Sequence, residues 1–502
     1  MPSDEQSASP GSPATLAERD LAVLWHPCSQ MRDYRHFPPL EIIAAEGCRL
    51  KLADGREIFD AISSWWCKSL GHGHPRLRAA LVQQADRFEH VILANTTNEN
   101  VVTFCERILN AANGLGPESW SDAAPPGRQP GHFGKVFLAD NGSTAVEVAL
   151  KMAVQAQAQR GQPQRTRFAA LQNGYHGETV AALSVGDCGL YGKPYEAIMF
   201  PVTKLGPLPY RAGPDDPAWM DAADTWPAIE AQLGPIADHL AAIIYEPVLQ
   251  GAGGMKLYSP DLLRRLRTWA DAHDVYLIAD EIAAGMGRLG AMLASHLTGK
   301  GQGPRAEAHG MGEKNAVASL GPGPWALGTC LPDFAVMSKG LTGGFMPLSA
   351  VLTTDAVYRL FDADYGEFKA FLHSNTYTGN ALAVAVALAV LNTFAEERVL
   401  GRVAEVGPMM KMGLAELART RPYLHRVRGC GMVAAVDLAA ADGSPLPAAA
   451  RTGYRVYREA VRRGALLRPL GDTMYVFPPL NTPPADVQAM LGILADSLDA
   501  IM

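Results

Sequence analysis

Residues 334–344 read FAVMSKGLTGG, and the fold turns on this run. Phe334 to Met337 is a short apolar stretch of the kind that buries on both faces of a sheet. Ser338-Lys339-Gly340 follows without a spacer. A lysine at a strand end is positioned by the fold rather than by its own flexible stem. Partial desolvation there lets its amine shed a proton and become a nucleophile. With 44 Lys plus Arg in the chain, an ordinary surface lysine is the alternative, so the neighbours must decide.

Upstream of this run, strand and helix patterns alternate. Residues 135–139 lead into a helical pattern at 143–157, 168–171 into 173–183, and 241–245 into Glu246-Pro247. Residues 260–273 read as an amphipathic helix before a strand at 275–279 and Asp280. This alternation predicts an α/β fold, a mostly parallel sheet covered by helices, with ligands beyond the carboxyl ends of its strands. Asn141 to Ser143, Glu246, Asp280 and Lys339 all follow strands and can converge there. Residues 1–16 read as a disordered start. A small α+β domain is expected from 17–74 together with 381–502, around a large domain at 75–380. Residues 298–330, rich in glycine and without periodicity, read as a flexible insertion. Paired short strands are expected to flank Gly471-Asp472.

Composition narrows the function. A net charge of −7 leaves no basic footprint for nucleic acid. Seven scattered cysteines without a CxxC argue against a disulfide framework or zinc site and for a reducing compartment. No signal-peptide pattern or membrane-length apolar run is present, so a soluble, cytoplasmic protein is expected. His72-x-His74 lacks a third ligand nearby, and no metal is expected.

Four strand-end features fill separable roles. Gly142-Ser143 offers backbone N–H groups and a hydroxyl for a phosphate, or serves simply as a helix cap. Tyr175, between glycines, can stack on a flat ring or be a turn tyrosine. Asp280 needs a cationic partner, either a protonated pyridine nitrogen or a structural arginine such as Arg288. Lys339 can hold an aldehyde. Trp65 and Trp66, ahead of a glycine-rich loop, can fill core or wall an apolar pocket.

The runs IADEI and GMGRLG around Asp280, with MSKGLTGG around Lys339, resemble the fold-type I, class III pyridoxal-phosphate aminotransferases. The likeness extends from about Trp25 to the C-terminus. WHPCSQM, SSWW, NGYHGET, EPVLQGAGGM and LLRPLG narrow it to members that aminate 8-amino-7-oxononanoate to 7,8-diaminononanoate in biotin synthesis. The resemblance implies pyridoxal 5'-phosphate as cofactor, joined to Lys339, with Asp280 on the ring nitrogen and Gly142 and Ser143 on the phosphate. Tyr175 is implied to touch ring and substrate. Asn375 and Thr376 are implied at the cofactor, Thr376 from a neighbouring subunit, so that a homodimer shares its sites. Cys28, Trp65, Trp66, Ser374 and Arg468 are implied at the substrate, Arg468 pairing bidentately with its carboxylate. Cys28 stands where many members have tyrosine, Ser374-Asn375 where Gly-Pro is common, and Glu178 where aspartate is. The amino donor is S-adenosyl-L-methionine, or lysine as in some relatives; an ω-amine aminotransferase of other specificity is the alternative.

Overall fold

The computed structural model describes residues 15–187, 189–299 and 330–502. Seven strands make its central sheet, in the order Phe133–Ala139, Ser349–Thr354, Phe334–Met337, Tyr276–Asp280, Leu240–Tyr245, Arg167–Leu171, Thr203–Leu205. Only Ser349–Thr354 runs antiparallel to its neighbours. Leu240–Tyr245, Tyr276–Asp280 and Phe334–Met337 are buried along their whole length. Helices on both faces explain why these strands read as continuous apolar runs rather than alternating ones. The helix Gly142–Gln159 packs Ala145, Val146, Ala149 and Ala153 against this sheet, and small side chains let it approach closely.

The parallel arrangement brings the carboxyl ends of five strands to one edge. Asp140 to Ser143, Gln172 to His176, Glu246, Asp280 and Ser338-Lys339 leave the sheet there.

Smaller sheets join distant parts of the chain. Ile42–Glu46, Arg49–Leu52 and Glu57–Asp60 form an antiparallel meander, and Ala465–Leu466 adds in parallel to Glu57–Asp60. Leu424–Cys430, Val433–Leu438 and Thr473–Val476 form an antiparallel sheet. The two short strands flanking Gly471-Asp472 therefore do not pair with each other as expected. Each finds a longer partner elsewhere, leaving only a bridge from Leu470 to Thr473.

Two other local readings change. A helix, Leu16–Val23, precedes the Trp25 turn, started by a reciprocal cap between Thr15 and Glu18. The helix expected at 173–183 is confined to Val180–Val185. Asn173 at φ 65° and Gly177 at φ 125° hold the preceding segment out of a helix. Residues 300–329 of the expected insertion, like 1–14 of the expected disordered start, lie outside the described residues. The described Ala294–Thr298 is a buried single turn of helix.

Candidate active site

The shared sheet edge opens into a cavity of about 460 Å³. Lys339, Asp280, Glu246, Tyr175, Trp66 and the first turn of Gly142–Gln159 all face it. Lys339 sits at φ 26°, an uncommon backbone for a non-glycine residue, directly after its strand. Ser338 fixes this turn by donating its hydroxyl to the Leu348 carbonyl at 2.8 Å. The Lys339 Nζ lies 4.5 Å from the Trp66 ring centre. Surrounding protein lowers the amine's pKa from its ordinary value, and the nearby Asp280 and Glu246 carboxyls partly restore it.

Asp280 is 4% exposed, yet its carboxylate is well partnered. One oxygen lies 2.8 Å from His176 Nδ1 and the other accepts from the Ile282 N–H at 3.1 Å. Arg288, the structural alternative, goes elsewhere. It donates to the Met432 and Pro478 carbonyls and lies 3.8 Å above the Phe477 ring. The His176 Nε2 is buried and has no hydrogen-bond partner among the described residues.

Glu246 accepts from the Tyr175 and Gly251 N–H groups, both at 2.9 Å. Burial, reinforced by the Asp280 charge, pushes its pKa up to about 8. Burial thus pushes both this acid and the Lys339 amine toward their uncharged forms in one cavity.

The expected phosphate cradle differs in one detail. Asn141, not Ser143, caps the helix, accepting from the Thr144 N–H at 3.1 Å. Ser143 Oγ instead accepts from the Glu178 N–H at 3.3 Å. Gly142 and Ser143 remain in the helix's first turn, where N–H groups lack intrahelical acceptors. A Cβ on Gly177 would stand 2.2 Å from Ser143 Oγ, so only glycine fits beside the cradle.

The tandem tryptophans divide their work. Ser63, Ser64, Trp65 and Trp66 all have positive φ, a left-handed turn costing about 1–2 kcal/mol per residue. Trp66 is buried and donates Nε1–H to the Tyr475 hydroxyl at 3.1 Å. Trp65 is 44% exposed and does not line the cavity; the Arg468 guanidinium lies 4.8 Å over its ring. Asp60 pins the turn, accepting from Ser64 N–H, from Ser64 Oγ and from His72 Nε2 at 2.9, 2.6 and 2.8 Å. His74 meets Glu397 instead, so the His72-x-His74 pair serves two different carboxylates.

Cys28 and Arg468 lie outside the cavity wall but meet each other: Arg468 Nη2 donates to the Cys28 carbonyl at 2.7 Å. The chain does not bring Ser374, Asn375 or Thr376 to its own cavity. They sit in the segment 362–380, with the Thr376 carbonyl 2.8 Å from His90 Nε2. Leu372 and Phe368 of the same segment are more than four-fifths exposed, at 89% and 83%.

Sequence reasoning assigns His176 no role, although it stands in the NGYHGET run. A histidine just beyond a strand end, in a sheet that also ends in an acid, is the signal that could have found it. Nothing in the sequence points to Tyr191, which meets Cys28 and Tyr175 from another element.

Known proteins carry the same arrangement of chain. The family pattern described as Aminotransferase class-III matches residues 30–302 and 324–498. A protein of Geobacter sulfurreducens named adenosylmethionine-8-amino-7-oxononanoate aminotransferase is 34% identical over 97% of this chain and 98% of its own. A protein of the same name from Synechococcus elongatus is 36% identical over 95% of this chain and 99% of its own. The crystal structure of the Methanocaldococcus jannaschii protein of that name superposes with a TM-score of 0.81 at 28% identity, covering 97% of this chain and 99% of that one. An amine transaminase from an uncultivated Pseudomonas species, in its PLP-bound form, superposes with a TM-score of 0.80 at 28% identity over 96% and 99%.

Proposed function

The chain belongs to the class III aminotransferases, and from that premise we propose that it transfers an amino group to 8-amino-7-oxononanoate, giving 7,8-diaminononanoate, with S-adenosyl-L-methionine as donor. The observation that carries this reading is the convergence of Lys339, the Asp280–His176 pair and the open helix start at Gly142-Ser143 on one cavity.

These residues fit pyridoxal 5'-phosphate. Gly142 and Gly177 leave room at the helix start where side chains would intrude, and its N–H groups suit a phosphate. Asp280, buried and oriented by His176 and the Ile282 N–H, suits a protonated ring nitrogen. Lys339, with its lowered pKa, suits the aldehyde. When bound, the cofactor supplies an electrophilic carbonyl carbon and a sink for the electrons released at the substrate Cα.

The chain's own groups do the rest. Deprotonated Lys339 Nζ would take the proton from the substrate Cα and return it two atoms away, past the transferred nitrogen, which a lysine on a fixed turn can do without reorganising. Asp280, held by His176 and the Ile282 N–H, would favour a positive charge at the ring nitrogen. Trp66 walls the cavity beside Lys339 and keeps water from the amine. Trp65 and Arg468 form a surface with an apolar face and a guanidinium end, suited to a long chain that ends in a carboxylate.

Ser374, Asn375 and Thr376 act at the site of a second copy in this reading, which makes the working enzyme a homodimer. The exposed Leu372 and Phe368 beside them support it, since isolated monomers rarely leave such groups bare together. A cytoplasmic setting is supported by the six described cysteines, all free. Among the described residues no helix is long and apolar enough to cross a membrane.

The test is direct. Cofactor-loaded protein is given 8-amino-7-oxononanoate with S-adenosyl-L-methionine, with lysine, or with a simple ω-amine, and diaminononanoate is measured. Product with S-adenosyl-L-methionine is expected. Product only with lysine would reassign the donor, and none with either would end the biotin-pathway reading.

A further inference from the structure

Tyr191 ends the single-turn helix Gly189–Tyr191, beyond the loop that carries Tyr175. Its hydroxyl lies 3.3 Å from Cys28 Sγ, and its ring meets that of Tyr175 edge-on at 5.7 Å. Arg468 donates to the carbonyl of the same Cys28, so phenol and guanidinium address one residue from two sides. Tyr175 in turn donates its hydroxyl to Glu178 Oε1 at 2.9 Å. Burial and the neighbouring Cys28 raise the Tyr191 pKa, so its phenol keeps its proton and stays a donor.

The same contact accounts for the small residue at position 28. The Cys28 sulfur already stands one hydrogen-bond length from the Tyr191 oxygen, and its backbone is held at φ 50°. An aromatic ring pointing the way the Cys28 sulfur points would meet the phenol.

We propose that Tyr191 is a specificity-determining residue: its hydroxyl, beside Arg468, donates to the carboxylate of the entering substrate, and Cys28 is small because Tyr191 takes the space above it. The inference rests on the reading of the site as one for a long keto acid. A hydrogen bond to a charged group contributes enough that its loss weakens binding by about 10-fold or more.

The experiment titrates cofactor-loaded protein with 8-amino-7-oxononanoate and follows the visible absorbance, then repeats this with variants and with an alkylamine lacking a carboxylate. Wild type must first bind the keto acid; if it does not, the functional reading itself falls, and this inference with it. Given binding, Y191F should weaken affinity for the keto acid about 10-fold, as a rise in KM exceeding any change in kcat. Its affinity for the alkylamine should not move. C28Y should lose keto-acid affinity and C28Y/Y191G should regain it. Equal keto-acid binding by Y191F and wild type would overturn the proposal while leaving the functional reading intact. A double variant no better than C28Y would overturn the shared-space argument. Should C28Y fail to fold, seen as loss of cofactor absorbance, Y191F alone decides.

Discussion

Lys339 answers two demands that a surface lysine never meets. In the proposed mechanism its amine has to give up its proton, which burial promotes, while the Asp280 and Glu246 carboxyls beside it oppose that loss. Lys339→Ala should abolish the visible absorbance of the cofactor-loaded protein and cut turnover by roughly 10²–10⁴-fold. Unchanged spectra would remove the lysine from the mechanism. Asp280→Asn should retain some cofactor but lose most turnover, because an amide no longer favours the charged ring nitrogen; wild-type rates would count against that role. Glu246 makes a pH signature of its own. Its folded pKa of about 8 lies above the ordinary 4.5, so the folded chain holds a proton that the unfolded chain releases. The stability it contributes is whole below about pH 4.5 and is lost as pH rises toward 8. Thermal midpoints of cofactor-free protein should fall across that window. Glu246→Gln should flatten part of the slope, Glu281 with its pKa of about 7 retaining the rest. An identical slope in the variant would assign the loss to other groups.

Among the elements, the left-handed turn Ser63–Trp66 is the one whose conformation is least supported by its own sequence. Four non-glycine residues stay there because the surroundings over-determine them. Ser63 donates its hydroxyl to the Phe477 carbonyl at 2.7 Å, and Asp60 collects three donors from Ser64 and His72. Asp60→Ala would strand those donors, each worth about 1–3 kcal/mol when left unpaired in the interior. Denaturant unfolding should show a loss of several kcal/mol, and the remaining folded enzyme should bind keto acid more weakly as Trp66 loosens. A stability within experimental error of wild type would mean the turn is held by packing alone. The tandem tryptophans themselves are legible as a pocket wall or core filler, and the outcome is a division: Trp66 does both, while Trp65 stacks under Arg468. No local pattern signals a left-handed turn without glycine, since its support comes from residues at sequence separations of up to 414.

Across the entire chain, the segment 362–380 carries the clearest consequence. If it completes the site of a second copy, Leu372→Glu should shift sedimentation toward monomer and lower cofactor retention together. A dimer that persists with full cofactor would place that segment outside the shared site. The central sheet is legible in the amino-acid pattern, because strands buried on both faces, such as 276–280 and 334–337, must be unbroken apolar runs. The strand-end positions of Lys339, Asp280 and Ser143 follow from that alternation. The partners of those residues do not. His176 reaches Asp280 across 104 positions, and Arg468 reaches Cys28 across 440. Nor does any pattern assign a neighbour to the alanine helix Ala381–Glu396, which packs into the same core as Met337 and Leu341. Periodicity and residue type are local properties, so the α/β architecture and the chemical identity of the lysine, the acid and the glycine-serine turn are written in the chain itself. Three outcomes needed the folded molecule: His176 rather than Arg288 faces Asp280, Asn141 rather than Ser143 caps the helix, and the Tyr191 hydroxyl meets the Cys28 sulfur. Each depends on which strand ends and loops lie side by side, and that is set by packing between residues far apart in sequence.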